Sequence, residues 1–280
     1  MHQTLISTAD LAPHVGDPDW IVVDVRHDLA QPDSWGEAQY RAGHLPGARF
    51  AHLDRDLSAP KNGRNGRHPL PSPATAAAFF GSLGIDAARQ VVAYDQGNGM
   101  FASRLWWMLR WLGHDAVAVL DGGYDAWQRE GRATATDVPP PAPRTFTVGS
   151  VGPTADTAEV LAALGTGKLT VVDARAPERY RGEVEPMDPV AGHIPGALNR
   201  PYALNVGGDG RFRPAGELRV EFEQLVAGRP PASVVHHCGS GVTGCHNVLA
   251  MEIAGLPGTR LYPGSWSEWC ADPARPVARG

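Results

Sequence analysis

The chain has 280 residues, which is enough for one large domain or two ordinary ones with buried cores. A formal net charge of -5 and a pI of about 6.1 exclude the overall basic character of nucleic-acid-binding proteins, and no apolar run is long enough to span a membrane. The few cysteines form no Cys-x-x-Cys pair, which excludes a disulfide framework and a zinc site. We therefore expect no metal, no cofactor and a reducing, cytoplasmic environment.

In the first half, short apolar strands alternate with helical segments. β-branched runs predict strands at 21–26 and 91–95, and apolar periodicity predicts helices near 74–83 and 100–112. Continuous apolar strands that alternate with helices indicate a parallel sheet with helices on both faces, and sites in such sheets form where the strands end. The basic stretch at 61–67 is interpreted as a solvated loop.

A proline-rich stretch then divides the chain. The run Pro-Pro-Pro-Ala-Pro at 139–143 cannot lie in a helix or a central strand, so residues 138–152 are predicted to be an extended linker. The predicted domains on either side of it are 1–137 and 153–280.

The second half shows the same alternation. The capping pattern of Asp156 and Glu159 predicts a helix that runs to Leu164. The other elements predicted there are strands at 169–173, 233–237 and near 260–262, and helices near 217–226 and 242–254. Both halves therefore have the pattern of an α/β domain.

Four blocks of the first half recur in the second half in the same order. The clearest is Gly-His-Leu-Pro-Gly-Ala at 43–48, which returns as Gly-His-Ile-Pro-Gly-Ala at 192–197. The other pairs are 21–26 with 170–175, 91–95 with 234–238, and 122–127 with 264–269. The constant order indicates a duplicated domain.

The most informative of these blocks ends at Cys238. An apolar strand stops at this cysteine, a glycine-rich loop follows, and a helix begins after the loop. The inward amides of such a loop and the positive end of the helix stabilise a thiolate, and Gly239 and Gly241 let the backbone close around a charged atom. We interpret Cys238 as a nucleophile rather than a buried structural cysteine. Cys245 is interpreted as a small buried side chain, and Cys270 is given no role.

Three motifs carry a family resemblance. The two Gly-His-x-Pro-Gly-Ala blocks, Cys-Gly-Ser-Gly-Val-Thr at 238–243 and Pro-Gly-Ser-Trp-Ser-Glu-Trp at 263–269 resemble those of tandem-domain sulfurtransferases of the rhodanese family. The resemblance implies an α/β fold of two tandem rhodanese-like domains, of which only the second is catalytic. In the first, Asp95 occupies the place of the nucleophile, and a carboxylate cannot accept a sulfane sulfur. The first domain is therefore expected to be a scaffold.

The resemblance also implies the chemistry. A small-molecule donor gives its outer sulfur to Cys238, and a thioredoxin-like protein, a small thiol or cyanide then removes it from the persulfide. The implied catalytic loop consists of Cys238, Gly239, Ser240, Gly241, Val242 and Thr243. Family members with Gly-Ser after the cysteine tend to use 3-mercaptopyruvate, whereas those that use thiosulfate tend to carry Arg and Lys there. The expected donor is therefore 3-mercaptopyruvate.

Further residues are assigned only through the resemblance. Asp54 and His68 are implied to approach Ser240 from the first domain and to help move a proton. Arg179 is implied to bind the donor's carboxylate. The second arginine expected in that segment falls at Met187, which cannot bind an anion. Unless Arg181 or Arg213 takes its place, we expect weak binding of 3-mercaptopyruvate.

Three other functions were considered. A thiosulfate:cyanide sulfurtransferase and a sulfur-carrier module with a protein acceptor both remain compatible with the loop. A cysteine phosphatase is not, because such enzymes need an arginine six residues after the cysteine to hold phosphoryl oxygens, and Gly244 stands there. Neither nucleic acid nor a membrane is an expected partner.

Overall fold

The computed structural model describes residues 1–31, 33–138, 140 and 142–280. These residues form two compact units. The first unit consists of Met1–Ser58, Pro71–Gly152 and Gly207–Phe212, and the second unit consists of Ala59–Leu70, Pro153–Val206 and Arg213–Gly280. Pro139 and Pro141 of the predicted linker lie outside the described residues. The predicted domain bounds of 1–137 and 153–280 stay a prediction.

The first unit contains a parallel sheet with the strand order β1-β5-β4-β2-β3. Its strands are β1 (Leu5–Ile6), β2 (Trp20–Asp24), β3 (Arg49–Phe50), β4 (Gln90–Tyr94) and β5 (Val117–Leu120). Its helices are α1 (Thr8–Leu11), α2 (Trp35–Ala42), α3 (Pro73–Ser82), α4 (Ala102–Trp111) and α5 (Gly123–Arg129). Val22 and Val92 on neighbouring strands pack in a buried core with Trp127 of α5.

The second unit repeats this plan with the parallel strand order β7-β6-β8-β9. Its strands are β6 (Thr170–Asp173), β7 (Leu198–Asn199), β8 (Val234–His237) and β9 (Arg260–Leu261). Its helices are α6 (Thr157–Ala163), α7 (Pro177–Tyr180), α8 (Ala215–Val226), α9 (Thr243–Ile253) and α10 (Ser265–Trp269). Val171 and Val235 pack against Trp266 and Trp269 in its core. The predicted α/β fold with parallel sheets is confirmed.

The ends of several elements have local causes. Asp156 accepts a hydrogen bond from the Glu159 amide at 2.8 Å and so begins α6, as its capping pattern predicted. The helix predicted from residue 100 begins at Ala102, and the amides of Phe101 and Ala102 at its start donate to the Asp95 carboxylate. The strand predicted over 21–26 ends at Asp24.

A repeated ion pair explains where that strand and its counterpart stop. Arg26 Nη2 lies 2.7 Å from Asp24 Oδ2 and donates to the carbonyl of Gly43 at 2.6 Å. In the second unit, Arg175 makes the same contacts with Asp173 at 2.6 Å and with the carbonyl of Gly192 at 2.7 Å. The buried pair therefore ties the end of the strand to the Gly-His-x-Pro-Gly block, which gives this block a structural role in both units.

Among the described residues we find no helix whose length and apolar character would let it cross a membrane.

Candidate active site

The loop after β8 places Cys238 at the carboxyl end of an inner strand of the second unit. The thiol is buried, and its Sγ accepts hydrogen bonds from the amides of Gly241 at 3.1 Å and Ser240 at 3.4 Å. Gly241 has a φ of 80°, and a Cβ at this position would overlap the carbonyl oxygen of Pro263. The turn therefore requires glycine, and it directs two amide dipoles at the sulfur.

The segment at 264–267 fixes the backbone of this loop from outside. The amide of Trp266 donates to the carbonyl of Cys238 at 3.0 Å, and the amide of Ser267 donates to the carbonyl of Gly239 at 2.9 Å. The amide of Cys238 donates to Ser265 Oγ at 3.2 Å. The repeated block near the C-terminus thus orients the residue that carries the thiol.

His68 lies beside Ser240 within the second unit. Its Nδ1 is 2.7 Å from Ser240 Oγ, and both side chains are buried. Residues 59–70 belong to this unit although the sequence places them in the predicted domain 1–137. The Arg67 amide donates to Ser267 Oγ at 3.0 Å and so links this loop to the segment near the C-terminus.

Asp54, the other residue expected near Ser240, lies in the first unit. Its amide is 3.2 Å from His52 Nδ1. Asp33, His52 and Asp54 have ligand atoms within 4.8 Å of one another, so among the described residues this group could hold a metal ion. The role of Asp54 toward Ser240 stays a prediction.

Two guanidinium groups lie next to the Cys238 loop. A Cβ built on Gly239 would lie 2.5 Å from Arg67 Nη2 and 3.6 Å from Arg179 Nη2. Arg179 was expected near the loop. Arg67 was not, because the stretch at 61–67 was interpreted as a solvated loop. The feature of the sequence that points to Arg67 is its position directly before His68.

Two buried carboxylates pair with these cations. Arg67 Nη1 lies 2.5 Å from Asp188 Oδ1, and Arg179 Nη2 lies 2.6 Å from Glu185 Oε1 and 3.4 Å from Asp188 Oδ2. Burial raises the pKa of the Asp188 carboxyl, and the Arg67 guanidinium opposes that rise. Met187 brings no charge to this cluster, and its side chain is 39% exposed. Arg175, which pairs with Asp173, also lies 3.2 Å from Glu185 Oε2, so the network has three guanidinium and three carboxylate groups that balance in charge.

A second buried charge group lies behind the nucleophile. Burial alone would raise the pKa of Asp173, but the nearby His237 and Arg175 lower it below its usual value. His237 is itself fully buried, which lowers its pKa, and its Nδ1 is 3.1 Å from the carbonyl of Cys238. Of these groups, His237 contacts the backbone of the nucleophile, and Arg175 interacts electrostatically with Cys238.

The two other cysteines have different surroundings. The thiol of Cys245, in the first turn of α9, donates to the carbonyl of Gly241 at 3.2 Å. Cys270 lies just after α10, and burial raises the pKa of its thiol to about 11. A thiol with this pKa is protonated at neutral pH and is a poor nucleophile.

In the first unit, Asp95 takes the position that Cys238 takes in the second. Its carboxylate accepts from the amides of Gly97 at 3.1 Å, Gly99 at 3.0 Å, Phe101 at 2.8 Å and Ala102 at 3.1 Å. Burial raises the pKa of Asp95, and these four hydrogen bonds oppose the rise.

Comparisons with known proteins agree with this architecture. The family model of the rhodanese-like domain matches residues 7–130 and 156–272. A probable 3-mercaptopyruvate sulfurtransferase of Pseudomonas aeruginosa is 49% identical over 99% of this chain and 98% of its own length. A putative thiosulfate sulfurtransferase, SseB of Mycobacterium tuberculosis, is 42% identical over 99% of this chain and 98% of its own length. The solved structure of the 3-mercaptopyruvate enzyme SseA from Escherichia coli superposes with a TM-score of 0.81 at 32% identity, covering 94% of this chain and 98% of that one.

Proposed function

The chain belongs to the rhodanese family and is a sulfurtransferase, and we propose that it takes sulfur from 3-mercaptopyruvate through a persulfide on Cys238. The observation that carries the proposal is the pair of amides, those of Ser240 and Gly241, that donate to Cys238 Sγ at 3.4 and 3.1 Å. The same amides stabilise the thiolate before the transfer and the negative persulfide after it.

In the first step, the Cys238 thiolate attacks the sulfur of the donor. The donor's carbon–sulfur bond breaks, its electron pair moves onto carbon, and the resulting enolate takes up the proton of the donor's thiol to give pyruvate. The Ser240 hydroxyl, 2.7 Å from His68 Nδ1, is placed to pass that proton on. Asp54 is proposed to assist this pair.

In the second step, a thiolate acceptor attacks the outer sulfur of the persulfide. The sulfur–sulfur bond breaks, the Cys238 thiolate is released, and the acceptor leaves as a persulfide. The proposed acceptor is a thioredoxin-like protein or a small thiol, and cyanide would leave as thiocyanate. Gly239, Gly241, Val242 and Thr243 shape the loop that encloses the reacting sulfur.

The charge balance beside the Cys238 loop supports 3-mercaptopyruvate as the donor. Arg67 and Arg179 are balanced by Glu185 and Asp188, so the site offers little net positive charge to a dianion. Thiosulfate carries two negative charges, whereas mercaptopyruvate carries one on its carboxylate. Thiosulfate is the second candidate because a relative named as a thiosulfate sulfurtransferase is 42% identical.

Steady-state kinetics with both donors test the proposal. We expect a higher kcat/KM for 3-mercaptopyruvate, and a higher value for thiosulfate would overturn the choice of donor. Mass spectrometry after incubation with the donor should show one added sulfur atom on Cys238. A persulfide that forms but passes to neither small thiols nor cyanide would indicate a carrier with a dedicated protein acceptor.

We also propose a cytoplasmic location, because the reaction needs Cys238 as a free thiol and a reducing compartment maintains one. Fractionation of cells followed by immunodetection checks it. Recovery of the protein outside the cytoplasmic fraction would contradict this location and leave the sulfur transfer unaffected.

A further inference from the structure

We propose that Arg67 provides the second guanidinium that binds the donor's carboxylate, the group that Met187 does not provide. The proposal rests on the proposed use of 3-mercaptopyruvate and adds a specificity-determining residue from the loop at 59–70. Four features of the second unit carry it: the placement of the Arg67 backbone, the position of its guanidinium, its relation to Arg179 and the local charge balance.

The backbone of Arg67 is held by the segment that also holds the nucleophile. The amide of Arg67 donates to Ser267 Oγ at 3.0 Å, and the amide of Ser267 donates to the carbonyl of Gly239 at 2.9 Å. Gly66 has a φ of 86°, and a Cβ there would lie 2.9 Å from the carbonyl oxygen of Gly264. The loop is therefore packed closely at the residue before Arg67, and a side chain that starts from a fixed backbone is preorganised for binding.

The guanidinium of Arg67 lies directly over the residue after the nucleophile. Its Nη2 is 2.5 Å from the position that a Cβ of residue 239 would take, so only glycine leaves room for it. Asp188 Oδ1, 2.5 Å from Nη1, holds the other side of the group. Arg67 Nε is buried and has no hydrogen-bond partner among the described residues, so the group has donor capacity that the protein itself does not use.

Arg67 and Arg179 form a pair around one carboxylate. The two oxygens of Asp188 lie 2.5 Å from Arg67 and 3.4 Å from Arg179, which brings both guanidinium groups to the same side of Gly239. Planar guanidinium groups bind carboxylates through two parallel hydrogen bonds. A donor carboxylate bound to the Nη2 atoms that face Gly239 places the adjoining carbon chain, and with it the transferable sulfur, next to Cys238.

The same arrangement explains why the site suits a monoanion. Glu185 and Asp188 keep the cluster neutral, so a single carboxylate gives it one excess negative charge and a dianion gives it two. Replacing Asp188 by asparagine adds one net positive charge. Asp188→Asn should therefore raise kcat/KM for thiosulfate relative to 3-mercaptopyruvate.

Arg67→Met tests the assignment, with Arg64→Met on the same loop as the matched control because Arg64 is exposed. We expect Arg67→Met to raise KM for 3-mercaptopyruvate roughly ten- to hundredfold and to lower kcat much less, the pattern of lost substrate binding. Arg67→Lys should recover part of the loss, and Arg64→Met should match the parent. A KM for Arg67→Met equal to that of the parent would overturn the proposal.

A second measurement does not depend on turnover. Iodoacetate and iodoacetamide are similar in shape and alkylate the same thiol, but only iodoacetate carries a carboxylate. We expect Arg67→Met to slow alkylation of Cys238 by iodoacetate about tenfold or more relative to iodoacetamide, which corresponds to the loss of one charge-assisted hydrogen bond. An equal change with both reagents would show that Arg67 only supports the loop and would overturn the proposal.

These measurements distinguish a failure of the proposed function from a failure of the role proposed for Arg67. If the parent protein forms no persulfide with 3-mercaptopyruvate, the proposed function fails, and the ratio of the two alkylation rates still decides whether Arg67 binds a carboxylate. If the persulfide forms and neither KM nor the alkylation ratio changes in Arg67→Met, only the assignment of Arg67 fails.

Discussion

The loops that follow β4 and β8 take the same place in their sheets but hold different side chains. After β4, the Asp95 carboxylate accepts hydrogen bonds from four backbone amides. After β8, the sulfur of Cys238 accepts from two. In the first loop the Asp95 side chain occupies the four amides. In the second loop, the amides of Ser240 and Gly241 are available to the negative charge of the thiolate and then to that of the persulfide.

The loop after β4 has space beside it. A cavity of about 350 Å³ lies beside Asp95, and Gln96, Asn98 and Phe101 are among the residues that line it. The first loop therefore has room for a small molecule but holds an oxygen acid where sulfur transfer needs a thiolate. The comparison teaches that sulfur transfer depends both on the side chain at the end of the strand and on the loop that follows it, because Asp95 is followed by Gln-Gly-Asn-Gly and Cys238 by Gly-Ser-Gly-Val.

The largest expected effect comes from removing the Cys238 thiol, which has no counterpart in the first loop. Cys238→Ser should abolish sulfur transfer, because an alkoxide is not available near neutral pH and the oxygen cannot hold a persulfide. Cys245→Ala and Cys270→Ala should keep most of the activity, and they serve as the matched controls. Turnover in a coupled assay measures this. Substantial activity in Cys238→Ser would contradict the proposed mechanism.

The next largest effect is expected at Ser240 and His68, the side chains proposed to move a proton. Ser240→Ala and His68→Ala should lower kcat with 3-mercaptopyruvate about a hundredfold, because its enolate must be protonated as the carbon–sulfur bond breaks. With thiosulfate as donor the same variants should lose far less, since sulfite leaves without taking up a proton. Comparing kcat for the two donors measures this difference. Equal losses with both donors would show that the pair of side chains only supports the loop.

A smaller effect is expected at Arg179, which the family resemblance assigns to the donor's carboxylate. Arg179→Ala should raise KM for 3-mercaptopyruvate roughly tenfold and lower kcat less, because one charge-assisted contact to the carboxylate is lost in both the ground state and the transition state. Arg181→Ala is the control, because Arg181 lies nearby and pairs with Glu183 at 2.7 Å. A fall in kcat without a change in KM would assign Arg179 to the chemical step.

Asp95→Cys tests whether the first loop can be converted into the second. We expect no second efficient site, because the loop Gln96-Gly97-Asn98-Gly99 lacks the residues that follow Cys238, so the persulfide stoichiometry should stay at about one per chain. The change also removes a carboxylate bound by four amides, and we expect the free energy of unfolding to fall by about 2–4 kcal/mol. Mass spectrometry and denaturant unfolding measure the two effects. A stoichiometry of two with parent-like rates would contradict the scaffold role of the first unit.

The sequence predicted the features that are local in the chain. The parallel sheets, the duplication and the Cys238 loop all follow from short motifs and their order. Arg67 could not be placed beside Gly239, because these residues are far apart in the chain and only the packing of 66–67 against 264–267 brings them together. Likewise, the sequence repeats Asp24-x-Arg26 as Asp173-x-Arg175, but the bonds from each arginine to the Gly-His-x-Pro-Gly block appear only in the fold.

The smallest expected effect is at Met187. From the sequence alone, this residue leaves the carboxylate site short of one guanidinium, and Met187→Arg would then lower KM about tenfold. If Arg67 already provides that group, the new arginine has no vacant role, and its exposed position beside Asp188 offers only a solvent-screened pairing. We therefore expect KM for 3-mercaptopyruvate to change less than about twofold in Met187→Arg. In the Arg67→Met background the same substitution should recover part of the lost affinity. Steady-state kinetics of the two single variants and the double variant measure this coupling, and a tenfold gain in the parent background would show that the site lacks a second cation.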